Sequence, residues 1–256
     1  MATVACFSGM KSLVKINNVN YFQLDIFGKA FRDFLDGDAK AVIRVHLDIT
    51  EPDELPVSYF FRSYKDMPQW EQIAIDTCQG RVLDAGAGAG AHALELQARG
   101  LNVVAIDLSP GAVEIMSERG VQNAFCQDFF QFDEKGFDTL LFLMNGAGMA
   151  GKIEGLKKFF SHAKKLLNAD GQILIESTDL IYLFEEEDGS YLVPMRENYY
   201  GEVSYQLEYK GRKAKPFPWL FVDFESLADA AGKEGFSFEL LYMGETHNYL
   251  ARLALD

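Results

Sequence analysis

A short apolar strand that runs into three alternating glycines constrains this chain more than any other stretch. Residues 82–90 read VLDAGAGAG: the strand ends in Asp84, and the glycines that follow are Gly86, Gly88 and Gly90. Glycine has no Cβ, so it adopts backbone conformations that other residues avoid and lets a ligand approach the main chain. A strand, a glycine-rich turn and a helix in this order predict a nucleotide-like ligand at the carboxyl ends of a parallel sheet.

A second apolar strand, residues 102–107, also ends in an acid. Asp107 lies about 20 residues beyond the glycines, the spacing expected of a carboxylate that accepts hydrogen bonds from ribose hydroxyls. Gly86, Gly88 and Ala91 also satisfy the G-x-G-x-x-G/A pattern of dinucleotide-binding sheets. An NAD-dependent oxidoreductase is therefore one interpretation of this region.

The position of Asp84 favours a different ligand. A carboxylate two residues before the first glycine would repel a pyrophosphate, whereas it suits a cationic amino-acid end. It can also cap the next helix, at the end where the helix dipole favours negative charge. Further along, Asp128 follows a third strand and lies beside Phe129 and Phe130. An acid beside aromatic rings suits the amino group and the ring face of adenine.

Taken in order, these segments resemble the class I S-adenosylmethionine-dependent methyltransferases. The first motif of that family resembles residues 83–90 (LDAGAGAG), the second resembles residues 105–109 (AIDLS), and the third resembles residues 126–129 (CQDF). The strand pattern that follows the last helix of the family core resembles residues 166–175 (LLNADGQILI). The resemblance extends from about residue 80 to about residue 176.

This resemblance implies S-adenosylmethionine as the cofactor and a set of residues that bind it. The expected cofactor-binding residues are Asp84, Gly86, Gly88, Gly90, Asp107, Leu108, Asp128, Phe129 and Asn145. Asn145 ends the fourth strand, at the place of the N-P-P-Y pattern of amino-methylating enzymes. The prolines and the aromatic residue of that pattern are absent here, so we expect a turn that contacts the edge of the cofactor. The sequence identifies no catalytic residue, and its histidines lack metal-ligand spacing.

The resemblance also implies a doubly wound α/β fold. Its sheet is expected to be mostly parallel and seven-stranded, and to close with a C-terminal antiparallel hairpin. Residues 1–79 would form a small N-terminal helical and aromatic cap. Residues 80–256 would form the cofactor-binding domain, with an insertion at about 180–222 after the fifth strand.

Local patterns predict the individual elements. Strands are expected near residues 41–47, 81–85, 102–106, 123–126, 137–143, 171–176, 203–209, 219–222, 237–243 and 248–253. Helices are expected over residues 21–35, 68–77, 153–167 and 223–233, and another is capped by Ser109 and Pro110. The acidic, proline-bearing stretch 51–56 is expected to be a loop.

Two aromatic-rich segments flank the motif core, and we expect them to hold the acceptor. The expected substrate-binding residues are Tyr59, Arg62 and Tyr64 before the core, and Tyr205 and Trp219 in the insertion. Aromatic clusters are also common in ordinary cores, so packing is the alternative role.

The charge balance restricts the partners. The net charge of −14 disfavours nucleic acids and anionic membrane surfaces. The counter-signal is a basic turn that contains Lys210, Arg212, Lys213 and Lys215. Three widely spaced cysteines, no secretory signal and no apolar run of about 18 residues favour a cytoplasmic protein.

The sequence therefore predicts methyl transfer from S-adenosylmethionine to a small-molecule acceptor. Two alternatives stay open at this stage: an NAD-dependent oxidoreductase, and a non-catalytic sensor or interaction protein that only binds S-adenosylmethionine. The sequence names neither the acceptor atom nor the oligomeric state.

Overall fold

The computed structural model describes residues 24–193 and 198–255. The first turn of the helix predicted over residues 21–35, together with Cys6, lies outside the described residues. The strands are β1 (Val42–Leu47), β2 (Asp53–Pro56), β3 (Arg81–Ala85), β4 (Asn102–Asp107), β5 (Ala124–Cys126), β6 (Phe137–Phe142), β7 (Leu167–Thr178), β8 (Glu202–Tyr209), β9 (Arg212–Lys213), β10 (Phe217–Leu220), β11 (Phe236–Met243) and β12 (Asn248–Leu255). The α-helices are α1 (Ile26–Leu35), α2 (Gln69–Thr77), α3 (Ala91–Ala98), α4 (Pro110–Arg119), α5 (Gly155–Leu166) and α6 (Phe224–Lys233).

The main sheet has seven strands in the order β11-β12-β7-β6-β3-β4-β5. Strands β7, β6, β3, β4 and β5 are parallel, and β12 and β11 complete the sheet with antiparallel pairing. The doubly wound, mostly parallel sheet with a C-terminal hairpin is thus confirmed. Because parallel strands end at one edge, the residues after β3, β4 and β6 meet there.

Buried side chains cover both faces of this sheet. Leu83, Leu140 and Ile173 pack on the face that carries Phe159 and Phe160 of α5. The opposite face packs on α2 and α3, and its strand residues include Val82, Leu141, Leu174 and Leu250. Ala87 of the glycine turn packs in the same cluster as this second face.

A second, antiparallel sheet joins two segments that are far apart in the chain. Its order is β10-β8-β1-β2, and β9 pairs with β8. Val45 of β1 lies opposite Leu207 of β8, so the segment before the core pairs directly with the insertion. Tyr205 and Leu207 pack with Phe31 of α1 in a third apolar cluster.

The prediction of a loop over residues 51–56 is wrong from Asp53 onward, because Asp53–Pro56 forms the edge strand β2. Its backbone pairs with β1, with Leu55 opposite Ile43. An edge strand tolerates acidic residues and proline, because one side needs no partner. Pro218 also lies in an edge strand, β10. This strand begins at Phe217, two residues earlier than predicted.

The N-termini of α1 and α4 share one capping carboxylate. Asp25 accepts hydrogen bonds from Gly28 N at 2.8 Å, Gly111 N at 2.9 Å and Ser109 Oγ at 2.7 Å. Ser109 in turn caps α4 by accepting from Ala112 N at 2.9 Å, as the sequence predicted. One negative charge therefore stabilises two positive helix ends.

We expect Gly111→Ala to lower the free energy of unfolding by about 1–3 kcal/mol, because a Cβ there would force α1 and α4 apart. That Cβ would lie 2.6 Å from the Cα of Gly28. Urea denaturation measures the change. The matched control is Gly232→Ala in α6, where a Cβ meets nothing within 4 Å. The control should be neutral or up to about 1 kcal/mol more stable, and equal effects in the two variants would contradict this packing.

Candidate functional site

The glycine turn between β3 and α3 lies at the carboxyl edge of the main sheet. Gly86, Gly88 and Gly90 have φ angles of 75°, 56° and 82°, the left-handed region that favours glycine. Space restricts the turn as well, since a Cβ on Gly86 would lie 2.7 Å from the Cε of Met149. The backbone amide of Gly86 donates to Ile106 O at 2.9 Å, which ties the turn to β4.

A cleft opens above this turn. Its walls come from residues 84–89 of the turn, His92 of α3, Met144 after β6, and Phe60 and Arg62 from the segment before α2. The main chain of the turn and several charged side chains therefore face one space.

Asp84 supplies a buried carboxylate with an unused oxygen. The residue is 2% exposed, and its Oδ2 has no hydrogen-bond partner among the described residues. The pKa of Asp84 is raised to about 6, chiefly by burial; the charge of Asp107 also acts to raise it, while His92 and a hydrogen bond from the Ala93 amide of α3 act to lower it. Asp84 thus contacts the first turn of α3 and also offers one buried oxygen to a cationic ligand.

Asp107 lies at the end of β4, one strand away from Asp84. Its Oδ2 accepts from Gly88 N and its Oδ1 accepts from Ser109 N, both at 2.8 Å. Burial raises the pKa of Asp107, and the two backbone hydrogen bonds lower it. Asp107 also serves the structure of the chain itself, because it holds the glycine turn against the start of α4. Each oxygen still has a second lone pair for a ligand hydroxyl.

A buried ion-pair group forms one wall of the cleft. Glu71 of α2 is 1% exposed and its Oε2 accepts hydrogen bonds from Arg62 Nη2 and, at 2.9 Å, from His92 Nε2. Arg62 also lies over the ring of Tyr59, 3.7 Å from its centroid. Burial alone would raise the pKa of Glu71, but His92 and Arg62 lower it below its usual value. Glu71 is therefore an ionised carboxylate that connects α2, α3 and the segment before α2.

Glu176 of β7 is a second buried carboxyl near this group. Its Oε2 accepts a hydrogen bond from Met144 N. The pKa of Glu176 is raised to about 7, chiefly by burial and also by the charge of Glu71, while the bond from Met144 and the charges of His92 and Arg62 act to lower it.

Three of the expected cofactor residues lie beyond Asp107 along the sheet edge. Leu108 is 53% exposed, which leaves an apolar surface beside Asp107. Asp128 caps a short 3₁₀ helix by accepting from Phe130 N at 2.9 Å. The ring of Phe129 is buried against Phe142 and Phe159, so its face is occupied by the core.

Asn145 uses its side chain to connect the two sheets. Its Nδ2 donates to Leu220 O at 3.1 Å, and its Oδ1 accepts from Ser177 Oγ at 2.9 Å. Its φ of 58° places it at a sharp turn after β6.

The expected substrate residues do not all come together. Tyr59 and Arg62 lie at the ion-pair group, but Tyr64 donates to Asp76 at 2.9 Å and packs under Arg99 instead. Tyr205 and Trp219 lie on the second sheet with ring centroids 5.8 Å apart. Trp219 covers Gly148, where a Cβ would lie 2.0 Å from the indole, so it contacts the loop after β6.

Sequence reasoning missed Glu71, His92 and Glu176. Glu176 carried a usable signal, because it ends a predicted strand as Asp84 and Asp107 do. His92 follows the glycine turn directly, which places it at the same sheet edge. Glu71 gives no such signal, since its burial depends on how α2 packs in three dimensions.

Comparisons with known proteins decide the family. A family profile described as a methyltransferase domain matches residues 82–171. A SAM-dependent methyltransferase from Bacteroides fragilis, solved in complex with S-adenosyl-L-homocysteine, is 43% identical with a TM-score of 0.83, over 90% of this chain and 94% of that one. This chain belongs to the S-adenosylmethionine-dependent methyltransferases. It is therefore an enzyme whose cofactor is S-adenosylmethionine, and neither of the open alternatives is favoured.

More distant solved structures share the fold. CalS10, an amino pentose methyltransferase from Micromonospora echinaspora, has 16% identity and a TM-score of 0.53, over 76% of this chain and 92% of that one. The sugar N-methyltransferase KedS8 from Streptoalloteichus sp. has 16% identity and a TM-score of 0.54, over 76% and 89% of the two chains. A search of curated protein sequences returned no significant match.

Residues 24–193 and 198–255 contain neither a candidate metal site nor a candidate membrane-spanning helix. In that part of the methyltransferase, the side chains of His, Cys, Asp and Glu form no group of three or more with the arrangement of a metal site. None of the helices there combines the length and the hydropathy needed to cross a membrane.

We expect Glu71→Gln to lower the free energy of unfolding by about 3 kcal/mol or more, because it leaves the buried Arg62 guanidinium without its counter-charge. Urea denaturation is the measurement. The control is Asp229→Asn, which breaks an exposed pair with Lys233 whose side chains are 65% and 72% exposed. That change should stay below about 1 kcal/mol, and a similarly small effect at Glu71 would show that the buried pair contributes little.

Proposed function

We propose that this methyltransferase binds S-adenosylmethionine in the cleft above the glycine turn and transfers its methyl group to a small-molecule acceptor. The observation that carries the proposal is the unused buried oxygen of Asp84. An isolated carboxylate oxygen in such a site strongly favours a cationic partner.

The amino-acid end of the cofactor fits the charges around the cleft. Its ammonium would pair with Asp84 Oδ2. Its carboxylate would accept a hydrogen bond from Arg62 Nε, which is buried without a partner among the described residues. Two unused polar atoms of opposite charge thus match the two ends of one zwitterion.

The adenosine end would extend along the sheet edge toward β5. Asp107 would accept hydrogen bonds from the ribose hydroxyls, and Leu108 would cover one face of the adenine. Asp128, with the backbone of Phe129, would contact the adenine edge. The main chain of Gly86, Gly88 and Gly90 and the turn at Asn145 would pack along the rest of the cofactor.

The chain's own part in the reaction is mainly positioning and exclusion of water. When bound, S-adenosylmethionine supplies a methyl carbon on a sulfonium, which already has a good leaving group. Phe60 and the glycine turn would keep water from the cofactor, and Arg62 and Asp84 would fix its orientation. Holding an acceptor in line with the methyl carbon then lowers the barrier through proximity and desolvation.

The acceptor would enter between the segment that contains Tyr59 and the second sheet, which we propose act together as a cap.

Several observations support a small cytoplasmic molecule over nucleic acid. The net charge is −14. Lys210 of the basic turn pairs with Asp33 and Asp38, and Lys213 pairs with Glu208, so much of its charge is neutralised. Cys78 and Cys126 are free thiols, as expected in a reducing compartment.

We expect Asp84→Asn to weaken binding of S-adenosylhomocysteine by about 10- to 100-fold, because a charge-assisted hydrogen bond of about 1.5–3 kcal/mol is lost. Calorimetry at about pH 8 measures the affinity, above the pKa of about 6 at which Asp84 ionises. The control Asp133→Asn changes an exposed acid and should leave the affinity unchanged. Unaltered affinity in a folded Asp84→Asn protein, or tight binding of NAD without S-adenosylhomocysteine, would refute the assignment.

A further inference from the structure

Glu176 lies at the carboxyl edge of the main sheet, on the same face as Asp84. Asp84 is in register with Leu141, and Leu141 is in register with Leu174, two residues before Glu176. Residues two apart on a strand share a face, so Glu176 points to the side that carries α2 and α3. Two strand spacings of about 4.8 Å separate its strand from that of Asp84, and the two further residues add about 6.6 Å along the strand, so the two residues lie about 12 Å apart.

The groups around Glu176 carry more negative than positive charge. Glu71 of α2, His92 of α3 and Arg62 all act electrostatically on it, and its carboxyl also acts on Tyr59. Together with Asp84 and Asp107, the described part of this layer holds four carboxyl groups, one guanidinium and one imidazole. Glu71 is already paired with Arg62 and His92, so Asp84, Asp107 and Glu176 are the carboxyls that lack a cation.

The bound cofactor supplies a partner for only one of them. Its ammonium fits Asp84, whose Oδ2 is unused. Glu176 is two strands further on, beside Met144, which lines the cleft. Glu176 also acts electrostatically on Tyr59, which flanks the proposed entry path of the acceptor.

We propose that the acceptor of this methyltransferase is an amine and that Glu176 is the catalytic residue that takes its proton. The inference rests on the proposed function, since it assumes that the cofactor occupies the cleft. The surplus of buried carboxyls favours a cationic substrate over a neutral alcohol or an anionic acid, because a cation restores the charge balance of the layer.

An ammonium acceptor first gives one proton to the Glu176 carboxylate, which frees the nitrogen lone pair. The nitrogen then forms a bond to the methyl carbon, and the bond from that carbon to sulfur breaks with its electrons on sulfur. The products are the methylated ammonium and S-adenosylhomocysteine, and the proton leaves Glu176 for solvent.

The electrostatics of Glu176 suit this task. Burial raises its pKa to about 7, so near neutral pH the group is able both to accept and to release a proton. Its Oε2 is held by Met144 N, which fixes the carboxyl against the turn after β6.

The experiment compares two ligands that differ only at the point of methyl transfer. S-adenosylhomocysteine has a neutral sulfur there, whereas sinefungin carries an ammonium group on carbon in place of the methylsulfonium. Both have the same amino-acid end, so the effect of Asp84 cancels in their ratio. Calorimetry gives the ratio of the two affinities between about pH 5.5 and about pH 8.5.

We expect the wild-type protein to prefer sinefungin. The preference should increase about tenfold per pH unit below the pKa of Glu176 and level off above it, because the free enzyme must first lose a proton. In Glu176→Gln the preference should fall about tenfold or more and lose its pH dependence, while the affinity for S-adenosylhomocysteine stays unchanged. In the control Asp84→Asn, both affinities should fall and their ratio should stay the same.

Each other result would overturn the inference in a recognisable way. A Glu176→Gln protein that loses both ligands equally would place Glu176 at the amino-acid end of the cofactor. A wild-type ratio that does not change with pH would contradict a proton site at the transfer point, even if Glu176→Gln failed to fold. A wild-type protein that binds neither ligand would instead refute the proposed function on which the inference rests.

Discussion

The buried carboxylate of Glu71 determines how the cleft is built. It accepts hydrogen bonds from Arg62 and His92, so α2, the segment before it and the start of α3 are fixed to one another at a single charge. Such a pair is costly to desolvate, but leaving either partner alone in the interior costs more. Because His92 follows the glycine turn directly, the ion pair also fixes the turn, and Arg62 is positioned at the wall of the cleft as a consequence. The charged cleft therefore depends on an interaction between elements, and the glycine motif alone does not produce it.

The electrostatics of the cleft explain why cationic ligands suit this chain. Asp84 and Glu176 are buried, and their pKa values of about 6 and about 7 show that ionisation is unfavourable without a partner. Since their pKa values in the fold lie above those in the unfolded chain, the two groups favour folding at low pH and oppose it as pH rises through these values. A ligand that brings positive charge removes this penalty. Cofactor binding should therefore stabilise the protein more at neutral than at acidic pH.

The sequence was sufficient to predict the fold of the main sheet and the two acids that end β3 and β4. Those features are local, because apolar strands, glycine turns and capping residues such as Ser109 are specified by neighbouring residues. The second sheet was not predicted, since β1 and β8 pair across more than half of the chain and neither strand carries a sign of its partner. The contacts of Asn145 could not be predicted for the same reason, because its side chain forms hydrogen bonds with Leu220 and Ser177, which lie far away in sequence. Glu71 was missed because an acid in a helix is usually exposed.

A crystal structure of the protein with S-adenosylhomocysteine is the most direct test of the central claim, that the unused carboxylate oxygen of Asp84 defines the cofactor site. We expect the ligand ammonium within about 3.2 Å of Asp84 Oδ2. We also expect the ligand carboxylate at Arg62 and the ribose hydroxyls at Asp107. A ligand whose ammonium pairs with Glu176, or whose amino-acid end lies outside the cleft while Asp84 Oδ2 stays unpaired, would contradict this claim.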